Sequence, residues 1–386
     1  MVELLLLVGL AVAAFVGFNI GGSSTGVAFG PAVGSGVVGK FAAAALMSGF
    51  ALLGGWTVGR NVIETMGGEI VPQSQFTLAA SVAVLFFVGF ALLISNTFGV
   101  PASTSMTAVG AIAGLGVATG TLNAAVMLEI VSWWIVAPVV AFWVCAVVGR
   151  YLYPHLAARV VIERSDGPLV TLDRAGAVPV PRLGPGTTGR EVVSIILVGG
   201  IACYMAFSAG ASNAANAVAP LVGNGALEPG QGVLLASAAI GLGAFTIARR
   251  TLDTVGNDLT DLPLLAALIV EVVSASLITF LSYIGIPASL AVSATMCIVG
   301  LGWGRATRSV TLGDAVRGET PEMSINALAS EPEVGESVPP VGEVEENLAA
   351  RDLFNPGTTG RVVFFWLLTP SISALASYLL FVTIPL

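Results

Sequence analysis

Hydrophobic residues gather along this chain in long runs, separated by short stretches of glycine, proline and hydroxyl residues. The runs fall at about 2–18, 37–58, 77–98, 104–120 and 124–152, and again at about 191–209, 226–247, 264–285, 289–304 and 361–385. Several reach the roughly 20 residues an α-helix needs to cross a bilayer. The pattern therefore predicts an all-α polytopic membrane protein. The runs at 104–120 and 289–304 are short, which fits broken or re-entrant helices. The N-terminus is apolar from Val2 and lacks a basic region and an A-x-A site, so it reads as the first membrane helix.

The pattern occurs twice. AFGPAVGSG at 28–36 matches AVAPLVGNG at 217–225, and RNVIETMGG at 60–68 matches RRTLDTVGN at 249–257. GVPASTSMTAVGAIAGLG at 99–116 matches GIPASLAVSATMCIVGLG at 285–302. Trp134 and Pro138 in WIVAP match Trp366 and Pro370 in WLLTP. Chance similarity between apolar segments readily gives one such match, but rarely four in register. The blocks divide the chain into a first transmembrane repeat at 1–154, a linker at 155–190 and a second repeat at 191–386. PGTTGR, at 185–190 and again at 356–361, reads as a Thr-capped helix start with an interfacial Arg.

The stretch GFNIGGSSTGVAFGPAVGSGVVG at 17–39 has more glycine and hydroxyl than a plain spanning helix needs. One reading is backbone opened at membrane depth to line a polar cavity. The other is close helix packing through small residues. The matching stretch in the second repeat, SAGASNAANAVAPLVGNG at 208–225, favours the first reading.

Composition fits a membrane protein: 55% of residues are hydrophobic and 10% charged, with mean hydropathy +0.92. The formal charge of −8 resides mostly in the stretch 306–356, where ten acids stand against Arg308, Arg317 and Arg351. This acidic loop, rich in Glu, Pro, Ser and Gly, is predicted to be largely disordered. No basic footprint for nucleic acid is visible. The polar linker region holds Arg150, Arg159, Arg164, Arg174, Arg182 and Arg190, which the positive-inside rule assigns to the cytoplasm. Five elements per repeat is an odd number, so the second repeat is inverted and both termini are external. Arg249, Arg250, Arg305 and Arg308 then also fall inside, and Arg60 is the exception.

Candidate chemistry follows the repeat. Asn213 and Asn216 lie three apart, on one helical face, near Ser208 and Ser212. Pro101-Ala102-Ser103-Thr104-Ser105 and Pro287-Ala288-Ser289 read as capped helix N-termini, whose free N–H groups and hydroxyls suit an oxyanion. Glu129 and Glu271 are acids inside apolar runs. Glu271 is the stronger candidate for a coupling or proton role, because it lies deeper in its run. Cys145, Cys203 and Cys297 lack metal spacing and read as small buried hydrophobes, and the lone His155 sits at a run's end. No metal site is expected. Neither HExxH, GxSxG nor a P-loop is present, which argues against an enzyme or a primary pump. A passive anion channel remains an alternative.

These blocks resemble the inorganic phosphate transporter family, of the sodium- or proton-coupled PiT type. That family carries an Asn-Asp-x-Ala-Asn signature, a Gly-x-x-Val-Gly-Ser sequel and a Pro-x-Ser-Thr-Thr block in each half. Gly30 and Val33-Gly34-Ser35 match the sequel, and Pro101, Ser103, Thr104 and Ser105 match the Pro block. The resemblance implies inverted repeats and secondary active transport of inorganic phosphate across the plasma membrane by alternating access. It implies Na⁺ or H⁺ as the coupling ion and no other cofactor. It also implies anion binding by Ser103, Thr104, Ser105, Asn216 and Ser289. Counted back from the sequel, the signature Asn-Asp falls on Ser23-Ser24 in the first half and on Ser212-Asn213 in the second. Ser23, Ser24 and Asn213 are therefore further candidates, with Asn213 shared between anion and coupling ion. Both signature carboxylates are absent, which weakens the usual cation sites. Their absence also makes sulfate the rival substrate. A homo-oligomer is compatible with the sequence.

Overall fold

The computed structural model describes residues 2–97, 103–159, 170–173, 180–184, 187–248, 263–307 and 356–384. The first half folds as α1 (Val2–Gly34), α2 (Lys40–Thr57), α3 (Gly59–Glu64), α4 (Leu78–Thr97), α5 (Thr104–Thr119), α6 (Ala124–Val147) and α7 (Tyr153–Ala157). The second folds as α8 (Gly189–Gly223), α9 (Pro229–Thr246), α10 (Leu264–Tyr283), α11 (Leu290–Ala306) and α12 (Pro356–Thr383). Among the described residues six helical spans are long and apolar enough to cross a membrane: α1, α6 with α7, α8, α9, α10 and α12. α2 and the α3 segment pass that test together, bent by 64° at their junction, while α4, α5 and α11 are shorter. The acidic loop and the repeat block at 249–257 lie outside the described residues.

Local chemistry sets several helix starts. Ser103 accepts from Met106 N at the head of α5, Asn123 from Ala125 N and Val126 N at α6, Thr188 from Glu191 N at α8, and Ser289 from Val292 N at α11. Each cap satisfies N–H groups that the helix cannot, a contribution of about 1 kcal/mol. The linker departs from the all-α expectation in one place. Val170–Asp173 (β1) and Val180–Leu183 (β2) form an antiparallel hairpin with Val170 opposite Leu183.

Packing exchanges the two halves. α1 packs on α9 and α2 on α8; α12 packs on α5 and α6 on α11; α1 packs on α4 and α8 on α10. The exchange holds at single residues. Gly54 of α2 lies against the Phe207 carbonyl of α8, and Gly243 of α9 against the Phe18 carbonyl of α1. In the alignment of the first repeated block, Gly54 corresponds to Gly243 and Phe18 to Phe207, so this is one contact made twice. Likewise Gly114 of α5 meets the Ala374 carbonyl, and Gly300 of α11 meets the Phe142 carbonyl. At all four glycines an added Cβ would enter the shell of the facing carbonyl oxygen. Gly17 lies against Ala239 and Gly22 against Ile247, so α1 and α9 run in the same direction. Gly54 against Phe207 and Gly67 against Ala219 give the same relation between the α2–α3 span and α8.

The expectation of opened backbone at 17–39 is not met. α1 is a single helix through Gly34, and α8 is a single helix through the matching stretch. The small-residue packing reading holds instead: Gly21 seats the Ile240 carbonyl, and its equivalent Gly210 seats that of Ala51. The hydroxyls fold back onto their own helix. Ser23 Oγ donates to Asn19 O and Ile20 O, and Thr25 Oγ1 to Gly21 O. Such back-bonding satisfies a hydroxyl without breaking the helix.

Candidate functional site

The N-terminus of α5 ends against the middle of α8, so a hydroxyl-rich helix start from one half meets the asparagines of the other. Thr104 Oγ1 donates to Asn213 Oδ1 at 2.6 Å. Asn216 Nδ2 lies 3.2 Å from Thr104 Oγ1, 3.1 Å from Ser105 Oγ and 3.1 Å from Asn213 Oδ1, so two protons serve three acceptors. Ser103, Ser105, Asn213 and Asn216 are all buried. Asn216 Oδ1 and the neighbouring Ser212 Oγ have no hydrogen-bond partner among the described residues. The knot contains neutral donors and acceptors only. It sits beside the first turn of α5, where the N–H of Met106 is taken by the Ser103 cap. A polyatomic anion entering here would find amide and hydroxyl donors together with the positive end of a helix dipole.

Ser289 lies apart from the knot. It caps α11 through Val292 N and lines a cavity of about 10 Å³ with Ser293, Trp133, Trp134 and Met106. That space holds roughly one water molecule. Met106 is in the first turn of α5, so the two helix starts approach each other there. Trp134 ties the halves together, its Nε1 donating to Pro287 O at 2.8 Å. It stood out in the sequence only as a repeat marker. Ser23 and Ser24 are not joined to the knot by any hydrogen bond described: Ser23 bonds to its own helix, and Ser24 is buried on α1.

Glu271 is 4% exposed on α10, and neither carboxyl oxygen has a hydrogen-bond partner among the described residues. Glu129 is exposed near the start of α6, in an open groove with Leu128, Ser132 and Trp133. His155 is exposed, with Nδ1 3.0 Å from Tyr151 O. Among the described residues no cluster of three His, Cys, Asp or Glu side chains could hold a metal ion.

A family model described as the phosphate transporter family matches residues 20–173 and 181–384. The chain is 30% identical over 289 residues to the sulfate permease CysP of Bacillus subtilis, covering 75% of this chain and 74% of that one. It is 22% identical to the chloroplastic inorganic phosphate transporter 2-1 of Arabidopsis thaliana, covering 77% of this chain and 65% of that one. A solved structure titled "The sodium-dependent phosphate transporter" superposes with TM-score 0.69 at 18% identity, over 98% of both chains.

Proposed function

Because the chain belongs to the phosphate transporter family, we propose that it carries a tetrahedral inorganic oxyanion across the membrane as a secondary transporter, holding it where α5 meets α8. The knot of Thr104, Ser105, Asn213 and Asn216 is the observation that supports this reading. Polar side chains buried at membrane depth are costly and cluster where a substrate passes. On arrival the anion exchanges the knot's internal bonds for its own, so the binding groups are paired in both states. No Lys or Arg belongs to the knot, and a dianion held by neutral donors alone is expensive in a low dielectric. A cotransported cation, Na⁺ or H⁺, would offset that charge.

Alternating access fits the exchange of packing between the halves. α1 runs with α9 while a short turn joins α1 to α2 and another joins α8 to α9. Equivalent helices of the two halves therefore oppose each other, as in transporters built from inverted repeats. The arginine pattern supports a cell-membrane orientation with the linker inside and the termini outside.

Inorganic phosphate is the first reading of the substrate. Sulfate is the second, favoured by the absence of any carboxylate from the knot: a carboxylate accepts the proton of hydrogen phosphate and repels an oxyanion without one. The similarity to CysP points the same way.

The test is uptake into proteoliposomes preloaded with unlabelled anion, comparing labelled phosphate with labelled sulfate. We expect counterflow of at least one. Asn216→Ala should raise the half-saturating concentration by about five- to 150-fold, since orphaned buried partners cost about 1–3 kcal/mol. Unchanged kinetics in that variant would overturn the assignment of the knot, and current without counterflow would favour a channel.

A further inference from the structure

We propose that Glu271 is the proton-carrying group of this transporter, facing Val27 from across the α1–α10 seam, where the other half presents Asn216. The inference rests on the transport reading above and names its coupling ion.

The exchange of halves locates the place. In the made knot, α8 supplies Asn213 and Asn216 while α5 supplies Thr104 and Ser105. Their equivalents are Ser24 and Val27 on α1, and Leu290 and Ala291 on α11. The mirrored place between α1 and α11 therefore keeps one hydroxyl and no amide. Its other neighbour is α10. On the knot's side, α4 packs on α8 through Ser81 Oγ, which donates to Pro220 O at 2.8 Å. One turn onward from Ser81 is Leu85, and one turn back from Pro220 is Asn216. Under the exchange Ser81 becomes Ala267 and Pro220 becomes Pro31. One turn onward from Ala267 is Glu271, and one turn back from Pro31 is Val27. α10 does pack on α1. By that equivalence the acid falls at the level of Val27, where the signature amide is missing, and is contributed by a different helix.

What surrounds Glu271 leaves it alone. α10 packs against α1, α3, α6, α8 and α11. The titratable groups along those helices are Cys145 of α6, Cys203 and Tyr204 of α8, Cys297 of α11, and Arg60 and Glu64 of α3. The remaining charged groups, Glu3, Glu129, Arg190, Glu191 and Arg305, lie in the first or last two turns of their helices. None of these shares a hydrogen bond with the Glu271 carboxyl, both of whose oxygens are unpartnered among the described residues. An unpaired carboxylate in such a place is far more costly than the neutral acid. As the proton carrier, the group crosses this buried seam as the neutral acid. When the α1–α10 seam opens to water the proton can leave. A carboxyl oxygen takes one proton from water on one side, and its O–H bond breaks to water on the other. A bound anion beside a buried carboxylate would place two uncompensated negative charges in one low-dielectric region, so the anion crosses with the acid protonated, which ties proton movement to anion movement.

The test uses the full chain in proteoliposomes. An inward proton gradient should drive accumulation of labelled sulfate or phosphate in the wild type, and a Na⁺ gradient at equal pH should not. Glu271→Gln should lose gradient-driven accumulation by tenfold or more, while keeping anion counterflow within about twofold of the wild type. Retained proton-driven accumulation in Glu271→Gln overturns the inference. So does drive by Na⁺ alone in the wild type, and so does loss of counterflow together with accumulation, which marks a structural or substrate-binding role. A wild type without counterflow of either anion fails the transport reading itself and takes the inference with it.

Discussion

At the scale of single residues, the knot turns on what each side chain can donate or accept. Asn213 accepts from Thr104 and from Asn216, so its amide oxygen is the acceptor at the centre of the group. The family's signature places an aspartate at this position. Restoring it should therefore change which oxyanion is preferred. A carboxylate at 213 keeps the acceptor role toward Thr104 and Asn216, adds an acceptor for the proton of hydrogen phosphate, and repels fully ionised sulfate. Asn213→Asp is expected to shift the ratio of phosphate to sulfate transport toward phosphate by about tenfold or more, equivalent to about 1.4 kcal/mol. Competition of each unlabelled anion against counterflow of the other measures the ratio. A ratio that stays put would mean that the anion does not sit beside Asn213.

At the scale of elements, the glycines set how close the helices approach. Gly54 and Gly243 make equivalent contacts, so equivalent substitutions should cost alike. Gly54→Leu and Gly243→Leu each push a side chain into a facing backbone, where nothing can rotate away. Overpacking of this kind costs about 1–3 kcal/mol, and each variant is expected to lower the thermal midpoint in detergent by about 3 °C or more. Gly39→Leu is the control, because nothing lies within 4 Å of its added Cβ. Equal midpoints for all three would remove close approach as the reason for the glycines. This packing also separates what the sequence makes legible from what it does not. The apolar runs, the repeat and the capped starts at Ser103 and Ser289 were legible because they depend on residues near in sequence. Whether the glycines at 17–34 opened the helix or seated a neighbour was not legible. That outcome depends on α9 lying against α1, and the contact exists only after long-range packing. The same holds for the knot. Asn213 and Asn216 announced a polar face, but only docking of α5 on α8 decides which hydroxyls they meet. Ser289, equally visible in sequence, ends beside Trp134 because its helix docks on α6.

At the scale of the whole molecule, alternating access needs the two halves to face opposite ways across the membrane. Gly39 and Glu228 test this directly, since they are equivalent positions in the turns that join α1 to α2 and α8 to α9. Both are exposed, and Gly39 has ordinary extended backbone. In a chain whose three cysteines, Cys145, Cys203 and Cys297, are replaced by alanine, Gly39→Cys and Glu228→Cys give single labels on equivalent turns. A maleimide that cannot cross the membrane should label Glu228→Cys in intact cells and Gly39→Cys only after permeabilisation, as the arginine pattern requires. The reverse assignment would keep the inversion and flip the orientation. Labelling of both from one side would be incompatible with opposed halves. It would also conflict with the parallel packing of α1 on α9 and of the α2–α3 span on α8, since an axis along the membrane normal keeps equivalent helices parallel and cannot interchange inward and outward openings.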